Sequence, residues 1–227
     1  MKKSVSFFSL LIASLGCHGK ATRFLVKDAA QRDTVLFVSE TPLEKTVGLS
    51  SAIAGWIELD PENIPEGIKG EFEVDLRTFD TGNPLRNEQM RERFLNTSEF
   101  PVATYSISRL LGSPKNKLME QQPVVARVEG VFKIKGVPKP QNASLKMTYF
   151  KQSETTRQRL SGNLLRISSQ FNIDILAFNI AIHDLLRGRL AKFLQVSVDV
   201  VGTDTLPAAL VGEPPKVKER NESKAAP

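Results

Sequence analysis

The sequence predicts an all-β domain, an antiparallel β-barrel of about eight strands with a short helix inserted around residues 84–95. Segments in which apolar and polar residues alternate recur along the chain, as expected for antiparallel strands with one buried face. The clearest helical pattern lies between two of these strands. An open sheet of so many strands would expose two edges, and closure into a barrel removes them.

Residues 71–77 and 124–135 carry the clearest strand patterns. Their apolar positions are Phe72, Val74 and Leu76 in the first segment and Val124, Ala126, Val128, Phe132 and Ile134 in the second. Further strands are predicted, in chain order, at Val35–Ser39, Val47–Leu59, Val102–Ile107, Ala143–Phe150, Leu164–Ile173 and Phe193–Val201. Gly48 and Gly55 predict bends or bulges in a curved sheet.

The segments between these strands are polar. Residues 60–70, 112–122 and 151–162 are predicted loops, and Gly136–Pro140 is the predicted turn of a hairpin. Residues 175–190 are compatible with either a short helix or a loop. The inserted helix has a clear start, because Asn83 can cap it and Pro84 suits its first turn. Pro101 prevents the helix from continuing into the next strand.

The N-terminal residues 1–21 predict an export signal. Two lysines near the start precede Val5–Leu15, an apolar run that is too short to span a bilayer. Cys17 is the only cysteine, and Ser14–Cys17 resembles the lipobox of bacterial lipoproteins, in which the cysteine is lipidated. Cleavage after Ala21 is the alternative. Both readings place the protein in the bacterial envelope.

Residues 203–227 contain four prolines and no apolar periodicity, which predicts a disordered tail and leaves 22–202 as the barrel domain. Loss of residues 1–21 lowers the net charge from +6 to +3, because three lysines leave with them. This charge is too small to indicate a nucleic-acid partner.

The sequence offers little for catalysis or metal binding. Of its two histidines, His18 lies at the leader junction and His183 lies in the body of the chain. Without further histidines or cysteines, an ordinary zinc site is not expected. The glycine patterns of dinucleotide and phosphate loops are also missing. We therefore expect neither an enzyme nor a cofactor; a hydrolase that uses His183 is the weakest of the alternatives.

Several residues around the inserted helix and in the turns form a recognisable set: Thr81-Gly82-Asn83, Arg86, Met90-Arg91, Phe94-Leu95, Phe100-Pro101, Thr104, Gly48, Gly55, Gly130 and Gly136–Pro140. This set resembles the YceI-like family of polyisoprenoid-binding, lipocalin-like bacterial proteins. The resemblance covers roughly Leu36–Gly202. It implies a lipocalin-like barrel that holds a long isoprenoid.

A barrel of about eight strands can enclose one apolar ligand. The predicted function is therefore a non-catalytic carrier that holds an isoprenoid, quinone-like or other long amphiphilic lipid. The candidate lumen residues are Phe72, Val74, Leu76, Tyr105, Ile107, Phe132 and Ile134, with ordinary core packing as the alternative for each. Asn83, Arg86 and Arg91 are candidates for contact with a polar head group. The alternative for the two arginines is a surface charge.

A second hypothesis is a structural or adhesive surface module whose barrel is solid and whose loops bind the partner. The expected location is the periplasm, or the outer membrane if Cys17 carries a lipid anchor. The sequence leaves the oligomeric state open, with a homodimer as one alternative.

Overall fold

The computed structural model describes residues 21–182 and 188–205, which form an antiparallel β-barrel. The predicted signal up to residue 20, His183 and the tail beyond residue 205 lie outside the described residues. The strands are β1 (Thr22–Val26), β2 (Thr34–Glu40), β3 (Lys45–Ser50), β4 (Ile53–Leu59), β5 (Ile68–Asp75), β6 (Val102–Gly112), β7 (Val124–Ile134), β8 (Val137–Phe150), β9 (Leu164–Asp174) and β10 (Phe193–Thr203).

Eight strands close the barrel in the order β1-β4-β5-β6-β7-β8-β9-β10, and β1 pairs back onto β10, where Leu25 lies opposite Thr203. The hairpin β2–β3 pairs with the first half of β10 and extends the wall at one end of the barrel. The predicted all-β antiparallel barrel with an inserted helix is thus confirmed. Ten strands occur in residues 21–182 and 188–205 rather than eight, because β1 and β2 both pair with β10, and β4 and β3 pair with β1 and β2 in turn.

Two strand predictions need correction. The sequence patterns did not indicate β1, which is only five residues long. The predicted strand Val47–Leu59 is two strands, β3 and β4, which change direction at Ser50–Ala52. The Ser50 hydroxyl accepts a hydrogen bond from the Ala52 amide at 3.1 Å and stabilises this bend.

Of the bends or bulges predicted at Gly48 and Gly55, neither glycine forms a bulge, because both pair in regular register. They are instead sites of close packing. The ring of Phe37 lies over Gly48, and the backbone of β5 at Glu71 lies against Gly55, so neither position has room for a side chain. The register shifts occur in β6, between Ile107 and Arg109 and between Leu110 and Gly112.

The hairpin that joins β7 to β8 turns at Lys135 and Gly136, whose φ angles are 51° and 76°. Two consecutive positive φ angles are typical of a type I′ turn, whose twist matches that of the flanking strands. The turn is therefore tighter than the predicted Gly136–Pro140, and β8 begins at Val137 rather than Ala143. Proline-containing residues 137–142 belong to the strand.

The inserted segment combines an α-helix, α1 (Pro84–Gln89), with a π-helical continuation at Met90–Leu95. Asn83 caps α1 by accepting a hydrogen bond from the Arg86 amide at 3.1 Å. Asn96, at φ 50°, ends the segment. A second short helix, α2 (Glu154–Arg157), lies in the predicted loop 151–162, and 3₁₀ helices occur at Ile64–Glu66, Leu76–Thr78 and Ile175–Phe178.

The strand directions define two ends of the barrel. The mouth end carries the inserted segment 76–101, the turn between β2 and β3, the turn between β7 and β8 and the connection after β9. The far end carries loops 60–67, 113–123 and 151–163. The far half is solid, since its inward side chains are almost fully buried: Phe24, Ile57, Leu59, Val124, Ala126, Val128, Met147 and Leu165.

Candidate functional site

The mouth half of the barrel is hollow and contains a cavity of about 480 Å³. The solid barrel of the second hypothesis therefore applies to the far half only. Apolar side chains of the wall and of the inserted segment form most of the cavity lining. They include Val35, Phe37, Ile53, Phe72, Val74, Leu76, Met90, Phe94, Phe132, Leu145, Ile167, Phe171, Leu194 and Val198.

Aromatic rings line one side of this cavity. Phe171 on β9 contacts the rings of Tyr105 and Phe132, with centroids 6.2 Å and 5.8 Å away. Phe132 also contacts Phe178 edge-on at 5.6 Å. Contacts of this kind fix the ring orientations by packing and by the electrostatics of ring edges and faces. They give the cavity a stiff apolar wall.

The Tyr105 side chain lies along the inner face of the barrel wall, beside the cavity. Its hydroxyl donates a hydrogen bond to the Gln141 carbonyl at 2.9 Å. The ring crosses Gly130, where a Cβ would lie 2.7 Å from the ring carbon that carries the hydroxyl. Burial raises the pKa of Tyr105 to about 12, so the side chain stays neutral at physiological pH. Gly130 therefore provides the space that lets Tyr105 line the cavity.

Ser169 places a hydroxyl on the otherwise apolar wall. It follows Ile167 and precedes Phe171 on the inward face of β9, and all three line the cavity. Its Oγ is buried and has no hydrogen-bond partner among the described residues. A buried hydroxyl without a hydrogen-bond partner is unfavourable for the stability of the fold.

Charged and polar residues surround the mouth of the cavity. The Arg86 guanidinium donates to the Thr81 hydroxyl at 2.9 Å, to the Thr81 carbonyl at 3.0 Å and to Glu44 at 3.0 Å. Glu44 also accepts a hydrogen bond from Arg189 at 3.0 Å. That hydrogen bond, followed by the positive charges of Arg189 and Arg86, lowers the pKa of Glu44. One carboxylate thus holds two guanidinium groups, which leaves this cluster with a positive charge.

The structure brings most of the predicted site residues to this cavity. Those that line it are Phe72, Val74, Leu76, Tyr105, Phe132 and Ile134 on the wall and Asn83 and Arg86 at the mouth. Their role in ligand binding stays a prediction.

Ile107 and Arg91 lie elsewhere. Ile107 is buried in the solid half, opposite Gly70 and Gly130, one inward position beyond Tyr105. Arg91 donates hydrogen bonds to the carbonyls of Asn87 and Arg77, at 3.2 Å and 3.1 Å, and borders a separate, more open cleft. Arg86 lies in α1 and Arg91 in the π-helical continuation, and their different partners, Glu44 and the Arg77 carbonyl, show that the two side chains face different sides.

Sequence reasoning missed several lining residues, notably Phe37, Phe171, Glu44, Arg189 and Ser169. The alternation of inward and outward residues along β9 could have identified two of them, because Ser169 and Phe171 lie on the same face of the strand as Ile167. Glu44 and Arg189 lie about 145 residues apart in the sequence and meet only in the folded chain. No local pattern could have paired them.

Two further observations concern the residues that the structure describes. Among them, no group of three or more His, Cys, Asp or Glu side chains is arranged to hold a metal ion. None of the helices in residues 21–182 and 188–205 combines the length and apolarity needed to cross a membrane. His183, the residue of the hydrolase hypothesis, lies outside these ranges.

The closed antiparallel barrel and its apolar cavity define a lipocalin-like binding fold. The chain belongs to the YceI-like domain family, whose family model matches residues 28–202. No curated protein sequence matches the chain significantly.

Solved structures of other proteins share the fold. Burkholderia cenocepacia BcnA is 18% identical, with a TM-score of 0.61, over 78% of this chain and 100% of its own. A polyisoprenoid-binding domain from Saccharophagus degradans is 18% identical, with a TM-score of 0.59, over 81% and 99%. The Campylobacter jejuni YceI protein is 14% identical, with a TM-score of 0.54, over 68% and 82%. At these identities the likeness shows the fold alone.

Proposed function

We propose that this protein is a non-catalytic carrier that holds a long-chain amphiphile, with its tail in the cavity and its polar group at the mouth. The observation that carries the proposal is the cavity itself, apolar along its wall and polar at one end. The ligand class is an isoprenoid, a quinone-like molecule or another long amphiphilic lipid. Family membership supports this class, as does the related domain that is described as polyisoprenoid-binding.

The size of the cavity is consistent with reversible binding. At roughly 30 Å³ for each water-sized group, 480 Å³ holds about 16 non-hydrogen atoms of a tail. Burial of that many methylene groups gives a gross gain on the order of 10 kcal/mol at about 0.8 kcal/mol each. Ordering of the flexible tail and the loss of overall motion offset part of this gain. The remainder allows a ligand both to bind and to leave.

The location of the carrier forms a separate part of the proposal. The apolar leader supports export to the periplasm, and Cys17 supports anchoring to the outer membrane. Incorporation of labelled palmitate into the native protein, compared with a Cys17→Ala variant, tests the anchor. Label in the native protein alone supports it, and equal or absent label in both contradicts it.

Extraction of the purified protein with organic solvent, followed by lipid mass spectrometry, tests the carrier function. A matched pair of variants sharpens the experiment. Leu145 lines the cavity, whereas the adjacent Lys146 is exposed on the outer face of β8. We expect a stoichiometric lipid in the native protein and in Lys146→Trp, and its loss in Leu145→Trp. Circular dichroism checks that both variants fold. Absence of extractable lipid from the native protein, together with failure to bind added long-chain amphiphiles, would refute the carrier function.

A further inference from the structure

Large apolar side chains are exposed at the rim of the cavity mouth. We define the mouth rim as Leu43 in the turn between β2 and β3, Leu176 in the 3₁₀ helix after β9, and Phe193 at the start of β10. Their exposed fractions are 77%, 45% and 59%. None of the three lines the cavity. Leu85, which lines the cavity at its mouth, is 62% exposed and adds further apolar surface there.

Single exposed apolar residues are common, but several at one end of a barrel indicate an interaction surface. The three most exposed large apolar side chains in the described ranges, Leu43, Leu85 and Phe193, all lie at the mouth end. This end also contains the opening of the apolar cavity. A ligand that enters or leaves the cavity passes through this opening. The apolar surface around it would therefore contact the source or acceptor of the ligand.

Positive charges accompany this apolar surface. The Lys192 ammonium lies 5.1 Å from the centroid of the Phe193 ring, but it pairs with Asp174 at 3.2 Å, so this pair adds no net charge. The hairpin of β7 and β8, also at the mouth end, carries Lys133, Lys135 and Lys139 and no acidic residue between positions 131 and 141. The Glu44 cluster with its two arginines adds a further positive charge.

We propose that the mouth rim docks onto an anionic lipid bilayer. Exposed leucines and an aromatic ring next to lysines are the combination that inserts at the interface of a membrane with negatively charged head groups. Docking in this orientation places the cavity opening against the bilayer, so that an amphiphile can pass between them without crossing water. The inference rests on the proposed carrier function.

Vesicle co-sedimentation tests the docking surface. The full chain carries Cys17→Ala, so that an acyl anchor does not contribute. The probes are vesicles of phosphatidylcholine mixed with phosphatidylglycerol and vesicles of phosphatidylcholine alone. The rim variant combines Leu43→Ser, Leu176→Ser and Phe193→Ser. The matched control combines Leu111→Ser, Met119→Ser and Val125→Ser, which remove side chains of 40–47% exposure near the far end.

We expect the rim variant to partition onto mixed vesicles at least tenfold more weakly than the parent chain, and the far-end control to be unaffected. Added salt should weaken the binding of the parent chain, as should removal of phosphatidylglycerol. Equal binding by the rim variant would overturn the proposal, and so would equal binding to both kinds of vesicle. A change of oligomeric state in the rim variant with unchanged vesicle binding would also overturn it, in favour of a second copy as the occupant.

Binding of farnesol in solution, without vesicles, separates this inference from the carrier function. A rim variant that binds farnesol normally and loses vesicle binding is folded and supports the docking surface. A different result is that the parent chain fails to bind farnesol and contains no extractable lipid while the rim substitutions still abolish vesicle binding. That result refutes the carrier function and leaves the docking surface standing. If the rim variant loses farnesol binding and unfolds, Phe193→Ser takes its place. We expect this single substitution to weaken vesicle binding by a smaller factor, and the binding that remains to fall with added salt. Unchanged vesicle binding by that variant overturns the proposal.

Discussion

The Ser169 hydroxyl shows what a single unpaired polar group in the cavity wall costs. It is buried without a hydrogen-bond partner among the described residues, which is unfavourable in the ligand-free protein. We expect Ser169→Ala to raise the free energy of unfolding by about 1 kcal/mol, because it removes this unpaired hydroxyl and leaves a slightly larger apolar wall. Urea unfolding of the ligand-free protein measures the change. Ser168→Ala, on the outer face of the same strand, is the control, and a stability loss at Ser169 would contradict the prediction.

Asp33 is a second buried polar residue, and it lies outside the barrel in the connection between β1 and β2. It is 1% exposed, and its Oδ1 accepts hydrogen bonds from Arg159 at 2.7 Å and from the Val201 amide at 3.1 Å. We expect Asp33→Ala to lower the free energy of unfolding by about 2 kcal/mol, because both donors lose an acceptor and one of them is charged. Urea unfolding again measures the effect.

The control for Asp33 is Glu58→Ala. Glu58 pairs with Arg23 at 2.9 Å, but the arginine side chain is about half exposed. Surface ion pairs of this kind contribute less than about 1 kcal/mol. A loss at Asp33 no larger than that at Glu58 would show that the buried contacts with Arg159 and Val201 do not stabilise the connection.

At the scale of single residues, the sequence predicted which side of a strand each residue occupies but not how deep it lies. Phe72 and Tyr105 line the cavity, whereas Ile107 has the same parity as Tyr105 and is packed in the solid half. Apolar and polar residues alternate along a strand in the same way whether the barrel interior at that level is filled or hollow. Depth depends on which side chains meet across the interior, and those come from strands far apart in the sequence.

At the scale of elements, the inserted segment was well predicted, because its start and end depend on local chemistry. Asn83 caps α1, Pro84 occupies its first turn, and the next strand follows Pro101. The change to a π-helix at Met90 has no local signal. The division of the wall between β3 and β4 was also not predictable, since it depends on pairing with β2 on one side and with β1 and β5 on the other.

The contact between the β2–β3 turn and the inserted segment predicts a pH dependence. The hydrogen bond from Arg189, followed by the charges of Arg189 and Arg86, lowers the pKa of Glu44 below its ordinary value of 4.5. The ionised carboxylate therefore contributes stability above that value, and the contribution is lost as the pH falls through the lowered pKa. We expect Glu44→Gln to lower the urea midpoint near neutral pH and to match the native protein in acid.

Urea titrations of the native protein and of Glu44→Gln at low ionic strength, between about pH 6 and pH 3, measure this difference. High salt serves as the control, since screening should reduce the difference for an ion pair at the protein surface. A difference that persists or grows in acid would show that Glu44 acts through packing rather than through its charge.

At the scale of the whole molecule, the closed barrel is divided into a solid half and a hollow half. The closure itself was predictable, because roughly eight alternating strands have no other simple way to bury their edges. The position of the cavity was not. It depends on Phe24, Met147 and Leu165 filling the far half, while the aromatic rings at the mouth half line the wall without filling it.

This division predicts an upper limit on the length of tail that the barrel encloses. The solid half forms the floor of the cavity, and 480 Å³ corresponds to about 16 non-hydrogen atoms at roughly 30 Å³ each. We expect affinity to rise through a series of prenyl alcohols as isoprene units are added, and to level off when the tail exceeds this capacity. Longer tails extend through the mouth and gain little from the wall.

Fluorescence competition with prenyl alcohols of increasing length measures this limit. Ile167→Phe adds volume to the cavity wall and should move the plateau to a shorter tail, because each added ring carbon displaces part of the ligand. Lys146→Phe, on the exposed outer face, should leave the plateau where it is in the native protein.

An affinity that keeps rising well beyond the predicted length would mean that the far half opens to admit the tail. The buried side chains around Met147 would then have to repack, and the native protein should show a ligand-induced change in hydrogen exchange at β7 and β8. A plateau without such a change leaves the far half as a fixed floor.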